Sequence, residues 1–411
     1  MHAGADAGSD RLPAGLSRLR LIFILAAVAA LGPLSIDMYL PSLPALQHYF
    51  ATDAATTQLT LAAYFVGLAL GQIFYGPIAD GLGRKPPLLF GLALYTLASL
   101  ACLFAASMTQ LIGLRLLQAL GGCAGMVVSR AIVRDCFGES SMARVLSLLL
   151  LIMGVAPVLA PLLGGVLFEH FSWRAIFLVL TLYGGLCCTL IALGIPETLR
   201  GPRHRPSLAH ALQAYRKLIR HRRFMGYALA GSVAQAGMFV YISASSFVFI
   251  EVYHLTPSQY AALFGLNAFG LICASQLNSR ALDRVPAQHL LRRALRSNAS
   301  AGLLMVLAVY LTQSPLWLIV PLFFCVASLG FSFPNSTAAA MAPFGDRAGA
   351  ASALLGTLQF VIASLSSSLA ARLYDGSARP MALVIAGCGL CALLLLRVLA
   401  PPLPQPTSAS R

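Results

Sequence analysis

Long apolar runs separated by very short joints constrain this chain more than any single motif. Residues 57–79 form one such run and residues 88–108 another, with eight residues between them. A hydrocarbon layer about 30 Å thick takes roughly 20 helical residues, and inside it each backbone amide must find its partner within its own segment. The pair therefore reads as two antiparallel helices with a tight turn at a membrane surface. Further runs lie at 19–41, 110–133, 145–168, 173–195, 225–250, 258–278, 297–311, 316–339, 348–373 and 380–399, giving an expectation of twelve spans. The composition agrees. Of 411 residues 58% are hydrophobic and 10% charged, with a mean hydropathy of +0.80, whereas a soluble domain is about 25% charged.

The net charge is +15. In a soluble protein that balance would point to nucleic acid. Here 23 of the 28 Lys and Arg fall in alternate joints and the two ends. Only Arg174, Arg372 and Arg379 fall in the opposite joints, and Arg115 and Arg130 lie inside the fourth run. Positive charge concentrates on the cytoplasmic side of membrane proteins, so both termini are expected in the cytoplasm and nucleic acid is not expected as a partner. The nine cysteines lie in or beside apolar runs and the eight histidines all lie in joints or termini. No disulfide framework, metal, cofactor or enzymatic role is therefore expected; the one CxxC, Cys388 and Cys391, has no histidine near it.

The joint at 197–224 is the long one and carries eight of the basic residues. It divides the expected architecture into an all-α, six-helix bundle at 1–196, a basic linker at 197–224 and a second six-helix bundle at 225–400, followed by a proline-rich, unstructured tail at 401–411. Residues 21–31 resemble the apolar core of a signal peptide, but apolar character resumes after Asp37, which favours a retained first span. The segment SRALDRVP at 279–286 repeats the pattern of 76–83 at an offset of 203. Such repeats are built around a substrate cavity near the membrane midplane.

Four features carry chemistry. Asp37 lies in the first span. A carboxylate in hydrocarbon costs about 2.5–3.5 kcal/mol on insertion scales and needs a partner, water or a proton; the bland alternative is a polar helix end in the interface. Arg115, at matching depth in the fourth span, is the expected partner, with a structural arginine bound to a backbone carbonyl as the alternative. Gln118, Gly122, Met126 and Ser129 fall within about 60° of it on a helical wheel, a polar stripe suited to a wet cavity. The 76–85 turn carries Asp80, Arg84 and Lys85 among glycines, and Asp135 ends the fourth span; these are a cluster of paired charges or simply solvated ones. The fifth span carries Gly154, Pro157, Pro161, Gly164 and Gly165, where the prolines bend the helix and the glycines allow close packing.

Several of these segments resemble the major facilitator superfamily. Gly76-Pro77-Ile78-Ala79-Asp80-Gly81-Leu82-Gly83-Arg84-Lys85 is similar to its loop signature G-x-L-A-D-R-x-G-R-K, with Gly81 at the usual Arg. Arg115-x-x-Gln118-Ala119 resembles its span-4 motif R-x-x-Q-G, and Gly154 to Gly165 resembles the antiporter motif G-x-x-x-G-P-x-x-G-G, with Ala160 at one Gly. Ser35-Ile36-Asp37-Met38-Tyr39-Leu40-Pro41 resembles the bicyclomycin- and chloramphenicol-resistance (Bcr/CflA) branch of drug:proton antiporters. The resemblance implies a proton-coupled exporter of small amphipathic compounds, multi-pass in the inner membrane and monomeric. Asp37 and Arg115 would couple the proton, and Gly76, Asp80, Gly83, Arg84, Lys85 and Asp135 would form a conformational latch. Its partners would be a small-molecule substrate, protons and the bilayer, with an importer or symporter of a small metabolite as the alternative. Tyr39, Gln118, Met126, Gln235, Met238, Tyr241, Asn267 and Asn335 are candidate cavity residues, because flexible Met and aromatic surfaces suit variable apolar ligands.

Overall fold

In the computed structural model, residues 12, 16–199, 208–312, 314–344 and 348–400 are described, and every regular element among them is helical. The long helices are α1 (Arg18–Asp37), α3 (Ala54–Leu82), α4 (Lys85–Leu103), α5 (Met108–Cys136), α6 (Glu139–His170), α7 (Trp173–Gly194), α9 (Arg222–Ser246), α10 (Pro257–Ala281), α11 (Ala287–Leu311), α12 (Pro315–Met341), α13 (Ala348–Arg372) and α14 (Arg379–Leu399). Two shorter ones are α2 (Leu43–Tyr49) and α8 (Leu208–Ile219). Their starts follow local chemistry. Asp53 caps α3 by accepting from the Thr56 amide, Ser107 caps α5, and Thr256 with Gln259 forms a capping box ahead of Pro257 on α10, in each case filling amides that a helix start leaves bare.

Among the described residues eleven helical segments are long and apolar enough to cross a membrane, the first running from Arg18 to Tyr49; a shorter apolar segment, Gly154–His170, lies in α6. The surface is inverted relative to a water-soluble protein. Phe90, Phe104, Leu193 and Leu311 are 67–81% exposed while Arg115, Gln118, Asn267 and Asn298 are buried, as expected when the solvent is lipid.

Helices α1 and α3–α7 pack on one another, and α9–α14 do likewise. The two groups meet along two seams, α3 on α13 and α6 on α10. On the first, Ser364 Oγ of α13 donates to the Ala62 carbonyl of α3 at 3.0 Å; Phe65 of α3 also meets Phe239 of α9 edge-on at 4.8 Å. On the second, Gly154 and Gly265 let α6 and α10 approach, each facing an aliphatic side chain of the other helix.

The structure corrects the span limits in three places. The first span was expected to end at residue 41, but α1 breaks after Asp37 into a 3-10 turn (Leu40–Ser42) and α2, so the chain stays helical to Tyr49. The 197–224 joint was read as a loop, yet it contains α8, which buries Tyr215 and Leu218 and lies against α3 and α13. Helix α11 starts ten residues before the apolar run does, because Arg292, Arg293 and Arg296 can occupy its wet first turns without breaking it. Arg200, Arg203, Arg205 and the 401–411 tail lie outside the described residues.

Candidate functional site between the helix groups

Asp37 is the last residue of α1 and is 3% exposed. Because α2 continues to Tyr49, twelve residues on, Asp37 sits deeper than its distance from the end of the apolar run suggested. Its carboxylate makes no hydrogen bond or ion pair among the described residues. The groups within its electrostatic reach are the hydroxyls of Tyr64 on α3, and of Tyr241 and Tyr260 on α9 and α10. The carboxylate thus belongs to the junction between the two helix groups.

Arg115 is fully buried on α5, and here the expected pairing fails. No ion pair joins it to Asp37. Instead Nη2 donates to the carbonyl of Ser35 at 2.9 Å and Nη1 to Gln118 Oε1 at 2.5 Å. Ser35 is in the last turn of α1, whose terminal carbonyls lack partners further along the helix and carry the negative end of its dipole. A guanidinium is what such an end accommodates. The rings of Tyr39 and Tyr64 lie 4.6 and 4.4 Å from its carbon, adding cation–π stabilisation where there is no carboxylate. Its Nε remains without a partner.

A polar network extends from this point. Gln118 Nε2 donates to Ser99 Oγ at 2.7 Å, Ser35 Oγ meets the Tyr95 hydroxyl at 2.6 Å, and the Tyr39 hydroxyl donates to Thr60. Tyr39 and Gln118, expected in the substrate cavity, are therefore walls and clamps of the Arg115 site. Met126 packs against Gly32 of α1. On the other side Tyr241 stacks on Phe264 at 5.3 Å and accepts from Asn267 Nδ2 at 3.0 Å, while Tyr260 shares a 2.9 Å bond with Ser245. The Asn267 and Gln235 side-chain oxygens, both polar atoms of the Gln58 amide and the Tyr64 hydroxyl are buried without partners, and Met238 lies among apolar side chains. Asn335 does not join this group: it donates to Asn278, three residues from the end of α10, and ties α12 to α10 there.

The proline–glycine segment of α6 reaches the same place. A Cβ on Gly164 would collide with the carbonyl oxygen of Met38, and would lie 2.7 Å from that carbonyl carbon and 2.8 Å from the Met38 Cα. Only glycine lets α6 lie against the break that follows Asp37. Gly165 has open space instead. Pro157 and Pro161 sit inside the helix, which packs against both α10 and α1.

At the basic face the charged turn forms a compact cluster. Arg84, 3% exposed, donates from Nε to Asp135 Oδ2 at 2.7 Å and from Nη1 to Asp80 Oδ1 at 2.5 Å. Burial opposes the Arg84 charge, but the two carboxylates outweigh it and hold the proton more firmly than usual. Arg134 reaches Asp80 at 3.9 Å and lies equally close to the Gly349 position in the first turn of α13. Lys85 does not reach across the groups; its Nζ donates to the Ala192 carbonyl of α7. Gly83 has φ +99°, a conformation that disfavours a side chain, whereas Gly76 faces open space and permits no close approach.

Glu197 was read only as the first residue of the linker. It accepts from the amides of Arg84 at 2.8 Å and Lys85 at 3.2 Å, at the start of α4, and from those of Thr198 and Leu199. Burial would raise its pKa, but the four amides outweigh that and hold it below the ordinary carboxylate value. A lone acid straight after an apolar run was the available signal. Tyr64, Tyr95 and Ser99 gave none, since hydroxyls inside apolar runs acquire partners only when helices pack.

The model of the Major Facilitator Superfamily matches residues 25–367. The chain is 38% identical to an uncharacterized MFS-type transporter, YdgK, of Bacillus subtilis strain 168, over 87% of this chain and 90% of that one. It is 31% identical to the bicyclomycin resistance protein homolog of Haemophilus influenzae over 91% and 94%, and 30% identical to multidrug resistance protein D of Escherichia coli K12 over 92% and 94%. In three dimensions it resembles the D-xylose-proton symporter with a TM-score of 0.75 and 15% identity, covering 93% of this chain and 98% of that one, a likeness of fold alone. Helices, charged turn and sequence relationship agree, and this chain belongs to the Major Facilitator Superfamily as a multi-pass membrane protein related to the bicyclomycin- and multidrug-resistance transporters.

Proposed function

We propose that this protein exports small amphipathic compounds in exchange for protons by alternating access. In this reading twelve spans cross the inner membrane with both termini in the cytoplasm, and no cofactor other than the proton takes part. The observation that carries it is Asp37: a buried carboxylate without a fixed partner, at the junction of two helix groups, where the turn that follows it touches α9 and α10 of the opposite group. Such a group exchanges a proton whenever the junction opens to water, because burial favours the neutral acid and hydration the carboxylate. Arg115 acts here by fixing the end of α1 on which Asp37 stands, through the Ser35 carbonyl. The buried side-chain oxygens of Asn267 and Gln235 and the Gln58 amide, which lack hydrogen-bond partners, together with the stacked rings of Tyr241 and Phe264, offer both polar and apolar contacts to an amphipathic ligand. The Arg84 cluster, with Arg134 beside α13, latches the basic face between turnovers. Inward proton flow supplies about 2.3 kcal/mol per charge for each 100 mV, plus the pH gradient.

The test is uptake of labelled chloramphenicol into everted vesicles energised with an acid interior. Wild type is expected to accumulate it, and Asp37→Asn to lose gradient-driven accumulation while still inserting at wild-type abundance. Full gradient-driven accumulation by Asp37→Asn sinks the coupling role. Accumulation only in right-side-out vesicles overturns export in favour of import.

A further inference from the structure

The ends of α9, α11 and α14 converge on the basic face around a cavity of about 380 Å³. Four arginines line it: Arg222 at the first residue of α9, Arg292 and Arg296 one turn apart near the start of α11, and Arg397 near the end of α14. The remaining wall is apolar, made by Leu393, Leu396 and Val398 of α14 with Ala400. Close packing holds the helix ends in place, since a Cβ on Gly226 would lie 2.8 Å from the Leu399 carbonyl carbon. None of the four arginines forms an ion pair with a carboxylate among the described residues, and only Arg222 is tied down by a hydrogen bond, to the Val398 carbonyl at 2.9 Å.

Four like charges around one opening repel, and Arg222 stands at a helix start, where the dipole is already positive. No carboxylate among the described residues pairs with any of them. The charge excess of this face accounts for arginines in general, but not for four that point at one cavity with an apolar wall. An anion offsets the repulsion, and guanidinium forks match phosphate oxygens bidentately. The apolar wall continues into surface that faces lipid: Leu390, Leu394 and Val398 on α14 are 44–60% exposed. A ligand with a phosphate at the arginines and a hydrocarbon chain along α14 satisfies both halves of the site, and basic pockets between membrane helices are suited to such headgroups.

We propose that this cavity binds the phosphate headgroup of an anionic phospholipid, with an acyl chain lying along α14. The site is far in sequence and structure from Asp37, and its occupation does not depend on the transport reading.

The test uses the full-length protein in a neutral detergent. Binding is followed by thermal stability on titration with dioleoyl-phosphatidylglycerol, dioleoyl-phosphatidylcholine or sodium phosphate. Phosphatidylglycerol is expected to raise the melting temperature saturably, and phosphatidylcholine not to. In the Arg292→Gln/Arg296→Gln double variant, apparent affinity should fall about 30-fold, from ~1 kcal/mol for each arginine near an anionic surface. Neither side chain makes a hydrogen bond, so the variant should fold. As a second variant, Arg397→Gln should weaken binding about fivefold by the same reasoning. Unchanged phosphatidylglycerol affinity in both variants overturns the proposal. So does equal stabilisation by phosphatidylcholine, or by sodium phosphate at the same concentration, the latter pointing to a free phosphate site instead.

Discussion

Gly164 and Gly165 are neighbours in the same motif, yet the structure assigns them different consequences. An alanine at 164 drives its Cβ into the Met38 backbone, which cannot rotate away as a side chain would. Forcing a methyl into a packed interior costs about 1–3 kcal/mol. Against this, alanine is favoured over glycine within a helix by about 0.8–1 kcal/mol, so Gly164→Ala should be destabilised by up to ~2 kcal/mol. At 165 nothing lies within 4 Å of the added atom, leaving only the propensity gain of about 1 kcal/mol. The two variants should thus differ by about 1–3 kcal/mol, with Gly165→Ala the more stable. Function separates them further, because the displaced segment is the one that follows Asp37. Gly164→Ala is expected to lose most transport even where it is folded, and Gly165→Ala to keep it. Reversible unfolding in mixed micelles reads the first difference and vesicle uptake the second. Equal stability and equal transport would refute the claim that α6 positions the break after Asp37.

Two other perturbations address the basic face. Arg84→Ala leaves the largely buried Asp135 carboxylate unpaired, which should cost about 3 kcal/mol and slow turnover while substrate binding, measured by fluorescence titration, persists; unchanged turnover counts against a latch. Glu197→Gln cannot accept at both oxygens, so the Lys85 amide loses its acceptor and the remaining bonds lose their charge, at about 1–3 kcal/mol. Because the folded-state pKa of Glu197 lies below the ordinary value, its contribution is complete above that ordinary value and fades as pH falls through the folded one. Wild type and Glu197→Gln should therefore differ at neutral pH, and the difference should shrink as pH falls below the ordinary glutamate value of about 4.3; a difference that does not change with pH down to acid unfolding would show that charge is not the cause.

The sequence was most informative where physics is local. Apolar length dictates a spanning helix regardless of its neighbours, and Gly83 announces a turn because few other residues adopt its φ. The pairing of Arg84 with Asp80 and Asp135 was legible through the resemblance of the 76–85 turn to the family signature, while the charges alone left a solvated cluster open. The partner of Arg115 was not. Depth along the spans brought Asp37 and Arg115 to a similar level, but depth cannot say that α1 breaks after Asp37. That break creates unpaired carbonyls, and Arg115 goes to one of them. Asn335 failed for a related reason: a polar residue in a span can serve a ligand or another helix, and only the position of Asn278 decides which.

This arrangement changes what coupling between Asp37 and Arg115 means. A direct ion pair would make protonation of Asp37 a loss of Coulomb attraction, felt at once by Arg115. Here the guanidinium has a dipole end and two aromatic faces and no bond to Asp37, so in the proposed coupling its position does not depend on the protonation of Asp37. The carboxylate is left free to respond to the opposite group, where Tyr241 and Tyr260 lie. Rigidity on one side and a single free charge on the other suit a device that must move one helix group against another. In the cycle proposed above, the group that holds α1 stays constant, and the group that changes is the one facing the interface that opens.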